Sequence, residues 1–523
     1  MTGWAAFLRL FLRRDRWMVL WWGLGTMLLY VSQAVSVDDL YTTQAEFDRA
    51  AASMAGNTAF IAMAGPARAL NTTGGQVFWQ ASAFGAIVAG LMSMFLVGRH
   101  TRAEEESGRD ELLRATAVGR LAPTTAALAA AALANVVLGV LVAGSLVLYG
   151  LAVPDSVATG VGLTCCGWFF TAVALMAMQL VTSTRAAYGI TGVVLAVAYA
   201  LRAVGDVGNG VASWLSPIGW YQAMHPFSGL RWWPVLLLLA GSIAVVALAR
   251  VLFERRDYGS GVFAARPGPA RAPASLTRPL GLAWRLHRAP LVSWTAGMFA
   301  LGAVYGSMGN DVRDLIGDSE TSQEMFLQGT GDIVQGFYAT AMIMLAVIVC
   351  GFAISSALRP RAEEDDGRLE VVLATAEPRS RWLAGHLTMT VVGTGTALLA
   401  AGLGLGLGYS LVTGTTDELW NLSVPLLQYA PAVLVLSAVA RLLYGVAPRA
   451  MVAAWLPLVL VSVVMLFGEL LSIPQWVQDL SPFEHLALVP VESVDWTAVL
   501  GVSLVAAALS VAGQVAFRRR DVH

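Results

Sequence analysis

An all-α polytopic membrane protein, with twelve transmembrane helices arranged as two parallel six-helix repeats, is predicted by three observations. Hydrophobic residues make up 57% of the 523 positions and charged residues only 13%, which excludes an ordinary water-soluble globular chain. Apolar runs of the ~20 residues needed to cross a bilayer as helix recur twelve times. One charged stretch is also written twice: residues 102–120 return at 361–379 without a gap, with Arg102, Ala103, Glu104, Glu105, Gly108, Arg109, Glu111, Ala115, Thr116, Ala117 and Arg120 all repeated.

The elements follow in order. Trp4, Phe7, Leu8 and Phe11 fall at i, i+3, i+4 and i+7 while Arg9, Arg13 and Arg16 run down another face, which predicts an amphipathic helix lying on a membrane surface. It leads into a span at 17–34, whose length and Trp17, Trp21 and Trp22 mark a retained anchor rather than a cleaved signal peptide. Five more apolar runs lie at 77–97, 122–150, 157–182, 188–204 and 232–253 and complete a first transmembrane half, 1–253. A connector rich in Pro, Ala and Arg, 254–289, reads as a cytoplasmic linker with an interfacial helix. The second half, 290–523, has runs at 290–308, 336–358, 386–412, 422–439, 450–468 and 496–517. Gly402 and Gly406, and Gly404 and Gly408, are spaced for close helix packing.

Orientation follows from arginine, because basic residues are retained on the cytoplasmic side of short loops. With both termini inside, 28 of the 33 basic residues are cytoplasmic, and all of them are arginine. Only Arg49, Arg68, Arg202, Arg231 and Arg313 fall outside, where the longer loops are acidic. Six spans per half is an even number, so both halves enter the membrane from the same side and are related by an axis along its normal. The repeat extends beyond the charged stretch: Gln76-Val-Phe-Trp matches Gln335-Gly-Phe-Tyr, Leu215-Ser-Pro matches Leu480-Ser-Pro, and Arg255-Arg-Asp257 matches Arg519-Arg-Asp521. The chain reads as a covalent pseudo-dimer with two half-sites facing a shared interface.

Several chemistries are excluded. Without lysine the chain has no Walker A loop and no Schiff-base residue. Cys165, Cys166 and Cys350 sit in apolar runs and read as packing residues. The six histidines lack ligand spacing, so no metal site is expected. No span carries the carboxylate relay of a proton-coupled pump. What remains are the two charged islands. Ion pairs at i, i+4 (Arg102/Glu106, Glu105/Arg109 and Asp110/Arg114; Arg361/Asp365 and Glu364/Arg368) predict a short surface helix in each. Exposed pairs contribute only ~0.3–0.5 kcal/mol each, so stability is a weak reason for such density in a charge-poor chain, and a polar face offered to a soluble partner is the better one.

The pattern Glu-Glu-x-x-Gly-Arg-x-Glu, an apolar run and Ala-Thr-Ala, after the second span of a six-span unit, resembles the intracellular coupling segment of ABC-exporter permeases of the type V fold. The whole chain is similar to the antibiotic-exporter permeases of high-GC bacteria that include tetronasin-type polyketide exporters. That resemblance implies a permease in the bacterial plasma membrane that extrudes hydrophobic small molecules, antibiotic or lipid-like, surrounded by membrane lipids and without a nucleic-acid partner. It also implies two copies of a cytoplasmic ABC ATPase subunit, which bind the ATP and Mg. The positions that would meet the ATPases are Arg102, Glu104, Glu105, Gly108, Arg109 and Glu111, with Arg361, Glu363, Glu364, Gly367, Arg368 and Glu370. Phe78, Trp79 and Phe84, with Phe337, Tyr338 and Met342, would line the substrate pathway. Pro217, Trp220, Tyr221 and Pro226, with Pro482 and Phe483, would form an outer gate in two re-entrant segments, and these differ enough in sequence to predict asymmetry. Two other classes fit parts of the pattern: a twelve-span proton-coupled drug transporter, and a membrane enzyme acting on lipid-linked substrates from the acidic 311–332 loop.

Overall fold

In the computed structural model, residues 3–41, 43–55, 58–108, 118–257, 259–263, 270–308, 333–416, 418–467 and 473–521 are described. Among them there is no strand, and eleven helices are long and apolar enough to cross a membrane. The chain divides into two compact units, 1–268 and 269–523.

In the first unit, α1 (Trp4–Leu40), α4 (Thr73–His100), α6 (Ala122–Tyr149), α7 (Val153–Leu180), α8 (Thr184–Val207) and α10 (Pro234–Arg255) carry the six expected spans. Shorter helices lie between them: α2 (Gln44–Ala55) and α3 (Thr58–Ala64) after the first span, α5 (Arg102–Glu106) after the second, and α9 (Pro217–Gln222) between the last two. Boundaries are set locally. Proline sits in the first turn of α6, α7, α9 and α10, where its missing N–H costs nothing. The side chains of Thr72, Ser183 and Ser216 cap α4, α8 and α9.

In the second unit, α11 (Pro279–Gly306), α12 (Ile333–Ala357), α15 (Arg379–Thr413), α17 (Ala430–Val446), α18 (Leu456–Phe467) and α20 (Trp496–Arg519) take the six places. The island helices α13 (Arg359–Asp365) and α14 (Arg368–Leu373) follow α12, with short α16 (Leu419–Ser423) and α19 (Gln475–Gln478) elsewhere. The helix not among the eleven apolar ones is α11, whose run is diluted by Ser293, Trp294, Thr295 and three glycines.

Each unit packs the same way. α1 lies on α4 and α6, α7 on α4, α6 and α10; correspondingly α11 lies on α12 and α15, and α17 on α12, α15 and α20. Helices α4 and α7 are the most enclosed of the first unit, with Asn135 joining α4, α6 and α7 through Ser93 Oγ (2.9 Å) and Thr171 Oγ1 (3.4 Å). Such interhelical hydrogen bonds hold helices where lipid supplies no hydrophobic drive.

One expectation is corrected. The N-terminal amphipathic stretch is no separate surface helix: α1 runs unbroken for 37 residues, ~55 Å at 1.5 Å per residue, against ~30 Å of hydrocarbon. Its Phe7 and Phe11 face is buried on Ala122, Ala126, Ala127 and Ala130 of α6, so the apolar stripe serves a helix partner. The segment before the second half likewise continues from Pro279 through Pro290 into its span.

Both glycine pairs of α15 are used. A Cβ on Gly404 or Gly408 would lie 2.1 or 2.3 Å from the Phe299 or Ala303 carbonyl oxygen of α11, and one on Gly402 or Gly406 2.2 or 2.4 Å from those of Ser423 and Leu419 in α16. Gly404→Val should therefore destabilise the protein by ~1–3 kcal/mol through overpacking. Gly395→Ala, with open space around it, should instead be neutral or stabilising by up to ~0.5–1 kcal/mol. Thermal unfolding in detergent micelles checks the pair, and equal midpoints would refute the packing role.

Candidate functional site

The two islands fold into matching corners, each tied to the end of its unit's last span. In the first, α5 buries Arg102, which is 1% exposed. Its guanidinium donates to Met178 O at the end of α7 (Nε 3.1 Å, Nη2 2.7 Å), to Ser260 O (3.1 Å) and to Glu105 Oε2 (2.6 Å). Glu105 is also gripped in fork geometry by Arg256, just past α10, at 2.5 and 3.1 Å. Arg256 in turn donates to Gln179 Oε1 (2.8 Å) and Ser260 O (2.9 Å).

The second island repeats the grip. Arg520, just past α20, holds both oxygens of buried Glu364 at 3.0 and 2.7 Å. Arg120 Nη2 donates to Phe253 O (3.3 Å) and Arg256 O (3.5 Å), and its counterpart Arg379 donates to Arg520 O (2.6 Å). Arg256 stacks over Phe253, and Arg520 over Phe517 and Tyr444. Gly108 and Gly367 both have positive φ, 71° and 69°. Since a Cβ at either would meet nothing within 4 Å, the repeated glycine is required by the left-handed turn alone.

That turn corrects the ion-pair expectation. The second island is two helices, α13 and α14, broken at Gly367 rather than one helix. Arg361/Asp365 forms as expected (2.7 Å), but Arg368 folds back to Glu363 (2.8 and 3.0 Å) and to Asp366 instead of meeting Glu364. In the first island Arg102 meets Glu105 rather than Glu106, which caps α8 by accepting from the Thr184 N–H (3.1 Å) and hydroxyl. Glu104 pairs with Arg14 of α1 (2.6 Å). Arg109 and Glu111 lie outside the described residues.

Glu105 and Glu364 are thus turned inward, into pairs within their own units. What the second island presents outward is the free face of α14: Leu369 is buried on Trp382, Leu383, Tyr444 and Phe517, while Arg368 and Glu370 are exposed and Val371 is 72% exposed. Next to each corner is a buried polar cluster that differs between the units. Asp15 pairs with His100 and Arg99 in the first, and His287 hydrogen bonds His386 (2.9 Å) and Ser356 (3.1 Å) in the second.

At the opposite end the six expected pathway residues separate. Phe78 is buried edge-on against Tyr221, Trp79 donates to Gly65 O (2.7 Å), and Met342 is enclosed in the core. Phe84 is exposed and Phe337 half-buried. Tyr338 reaches a cavity of about 510 Å³ that it shares with Tyr409. The expected gate segments are both anchored, by different residues. Pro217 opens α9, Trp220 donates to Trp214 O (2.6 Å), and Tyr221 is fully buried between Tyr30 OH and Thr159 O, 3.2 Å from each. Pro226 is buried beside a small space lined by Arg68 and His225. Burial, with Arg68 and Arg231 nearby, lowers His225 to about 4, so its ring is neutral there. In the second unit Phe483 stacks on Tyr429, whose hydroxyl donates to Ala487 O (3.2 Å) a few residues past half-buried Pro482.

Arg256, Arg520, Phe253 and Phe517 were not among the residues expected at the site. Their signal was present as the repeated Arg-Arg-Asp, read only as a mark of duplication.

A family model described as multidrug efflux system permease Rv1217c, C-terminal domain, matches residues 6–254 and 276–518. The multidrug efflux system permease protein Rv1217c of Mycobacterium tuberculosis (strain ATCC 25618 / H37Rv) is 39% identical over 528 aligned residues, covering 100% of this chain and 95% of that protein.

Removing one partner of a buried ion pair strands the other charge, at a cost of ~3–5 kcal/mol. Glu105→Gln strands Arg102 and Arg256, whose side chains are 1% and 4% exposed, whereas Glu364→Gln strands Arg361 and Arg520, at 30% and 17%. The first substitution should therefore lower the unfolding midpoint more than the second, and Glu105→Arg with Arg256→Glu should recover part of the loss in a double-mutant cycle. Additive losses would remove the pairing.

Proposed function

The chain belongs to the Rv1217c family of multidrug efflux system permeases, and on that premise we propose that it is the membrane subunit of an ATP-driven exporter of hydrophobic compounds. It sits in the plasma membrane of a bacterium with both termini and both islands in the cytoplasm, and it has the type V architecture of tetronasin-type exporters. ATP and Mg are bound by a separate ATPase, two copies of which dock on the two islands.

The observation that carries this reading is the corner that occurs in both units: an island carboxylate held in a bidentate grip by the arginine ending the sixth span. Such a fork fixes direction as well as distance. A force applied to the island is therefore delivered to the sixth span, and through Arg102 to the Met178 carbonyl that ends α7. A surface helix without that grip would swing on its glycine turn and transmit little. The docking face is α14, where exposed Val371 between charged neighbours has the composition of a contact patch. Within the corner, Glu105 and Glu364 act as braces, and Arg368 and Glu370 as contacts. Aromatic side chains at the opposite end and the absence of a carboxylate relay in the spans suit an apolar cargo moved by a force from outside the chain.

Glu370→Arg combined with Val371→Asp should abolish co-purification of the ATPase and reduce drug-stimulated ATP hydrolysis at least tenfold. Membrane level and unfolding midpoint should stay unchanged, because both side chains are exposed. Unchanged stimulation in this variant, or efflux that stops on collapse of the proton gradient while ATP is held constant, would overturn the assignment.

A further inference from the structure

We infer that the cavity in the second unit, at the end opposite the islands, is a binding site for amphiphilic organic cations. The inference rests on the permease reading above and adds the charge class of one cargo. The cavity, about 510 Å³, lies within the range that encloses drug-sized molecules. One wall is aromatic: Tyr338 and Tyr409 meet edge-on with centroids 5.6 Å apart. Tyr338 is buried, its hydroxyl donating to Gly306 O (3.2 Å), so its ring is held in place rather than free to turn away. Gln335 and Asn421 supply neutral polar groups, and Glu418 and Glu492 supply the charge.

The sign of that charge selects the ligand. Among the described residues no basic side chain lines the cavity, and neither Glu418 nor Glu492 has an ion-pair partner. Glu492 accepts only the Leu488 N–H, at 2.9 Å. Both carboxylates are exposed at the rim, where negative charge attracts a cation and repels an anion. The tyrosine faces below add quadrupole attraction for an organic cation, and the apolar remainder suits its hydrophobic groups.

The start of α4 in the first unit is built differently. It and the segment ending at Ser228 enclose only about 30 Å³. Ala64 and Gly65 fill the space, held by the Gln222 amide donating to Ala64 O and Trp79 donating to Gly65 O, both at 2.7 Å. Arg68 lines what remains. The adjoining cavity of that unit, about 220 Å³, is lined by Arg68 and His225 beside Asp206, and Arg202 pairs with that carboxylate at 3.5 Å, so its negative charge is met from within.

The test uses the full-length chain in nanodiscs and two rigid ions of the same shape and opposite charge, tetraphenylphosphonium and tetraphenylborate. Equilibrium dialysis against empty nanodiscs removes the lipid contribution. Tetraphenylphosphonium should bind at least about tenfold tighter than tetraphenylborate. Glu418→Gln with Glu492→Gln should erase that preference, Tyr409→Leu should weaken it, and Arg68→Gln should leave it unchanged. Equal affinity for the two ions, or cation binding within twofold of wild type in the double variant, overturns the assignment. Efflux in cells separates this from the broader reading. If the double variant loses resistance to a permanently cationic dye and keeps resistance to a neutral drug, the cation site stands. If the ions bind alike while efflux of neutral drugs proceeds, only the cation site falls.

Discussion

A carboxylate withdrawn from water must find a cation, and in this chain that requirement decides how the charged islands sit on the membrane bundle. Glu105 and Glu364 are buried, where an unpaired charge is prohibitively unfavourable. Each unit meets the requirement with the arginine that ends its sixth span, 151 residues away in one case and 156 in the other. The grip fastens the segment between the second and third spans to the last span, while Arg120 and Arg379 secure the backbone of that same arginine. The loop, the third-span entry and the chain end of each unit thus become one mechanical corner.

Against this shared corner the two units diverge where their chemistry differs. Arg102 is sunk under α5 onto the carbonyl of Met178, while its counterpart Arg361 is partly solvated and pairs along its own helix. Asp15, His100 and Arg99 fill one neighbouring position, and a His287–His386 pair fills the other. At the opposite end Ala64 and Gly65 line a small space in one unit, and Tyr338 and Tyr409 line a larger cavity in the other. Duplication preserved the charged corner and let its surroundings and the opposite ends diverge.

Much was legible in the primary structure because it rests on local or repeated physics. Bilayer thickness sets the length of an apolar run, so spanning helices could be read: eleven described helices are long and apolar enough, and the twelfth expected span, α11, falls short because serine, threonine and glycines dilute its hydropathy. The α15 glycines stood out because close helix approach admits few other residues, whereas Gly108 and Gly367 showed only that they recur; the left-handed turn each makes, which divides the second island, was not read. Two readings went astray for one reason. The Phe7 and Phe11 stripe was assigned to lipid when its partner is the alanine face of α6, and Glu105 and Glu364 were assigned to a soluble partner when theirs lie at the ends of α10 and α20. An amphipathic or charged face declares that it must be covered; it does not declare by what.

The sequence by itself determined that this is a multi-pass helical membrane protein written as two related halves, where its breaks fall, and which charged segment recurs. These follow from composition, period and spacing, which need no contact between distant residues. Only the tertiary structure decided which arginine grips which glutamate, and that Tyr338 reaches a cavity while Phe78 is buried against Tyr221. Those outcomes depend on which helices become neighbours, and the free energy of burying a charge or a ring belongs to the pair that meets rather than to either residue alone.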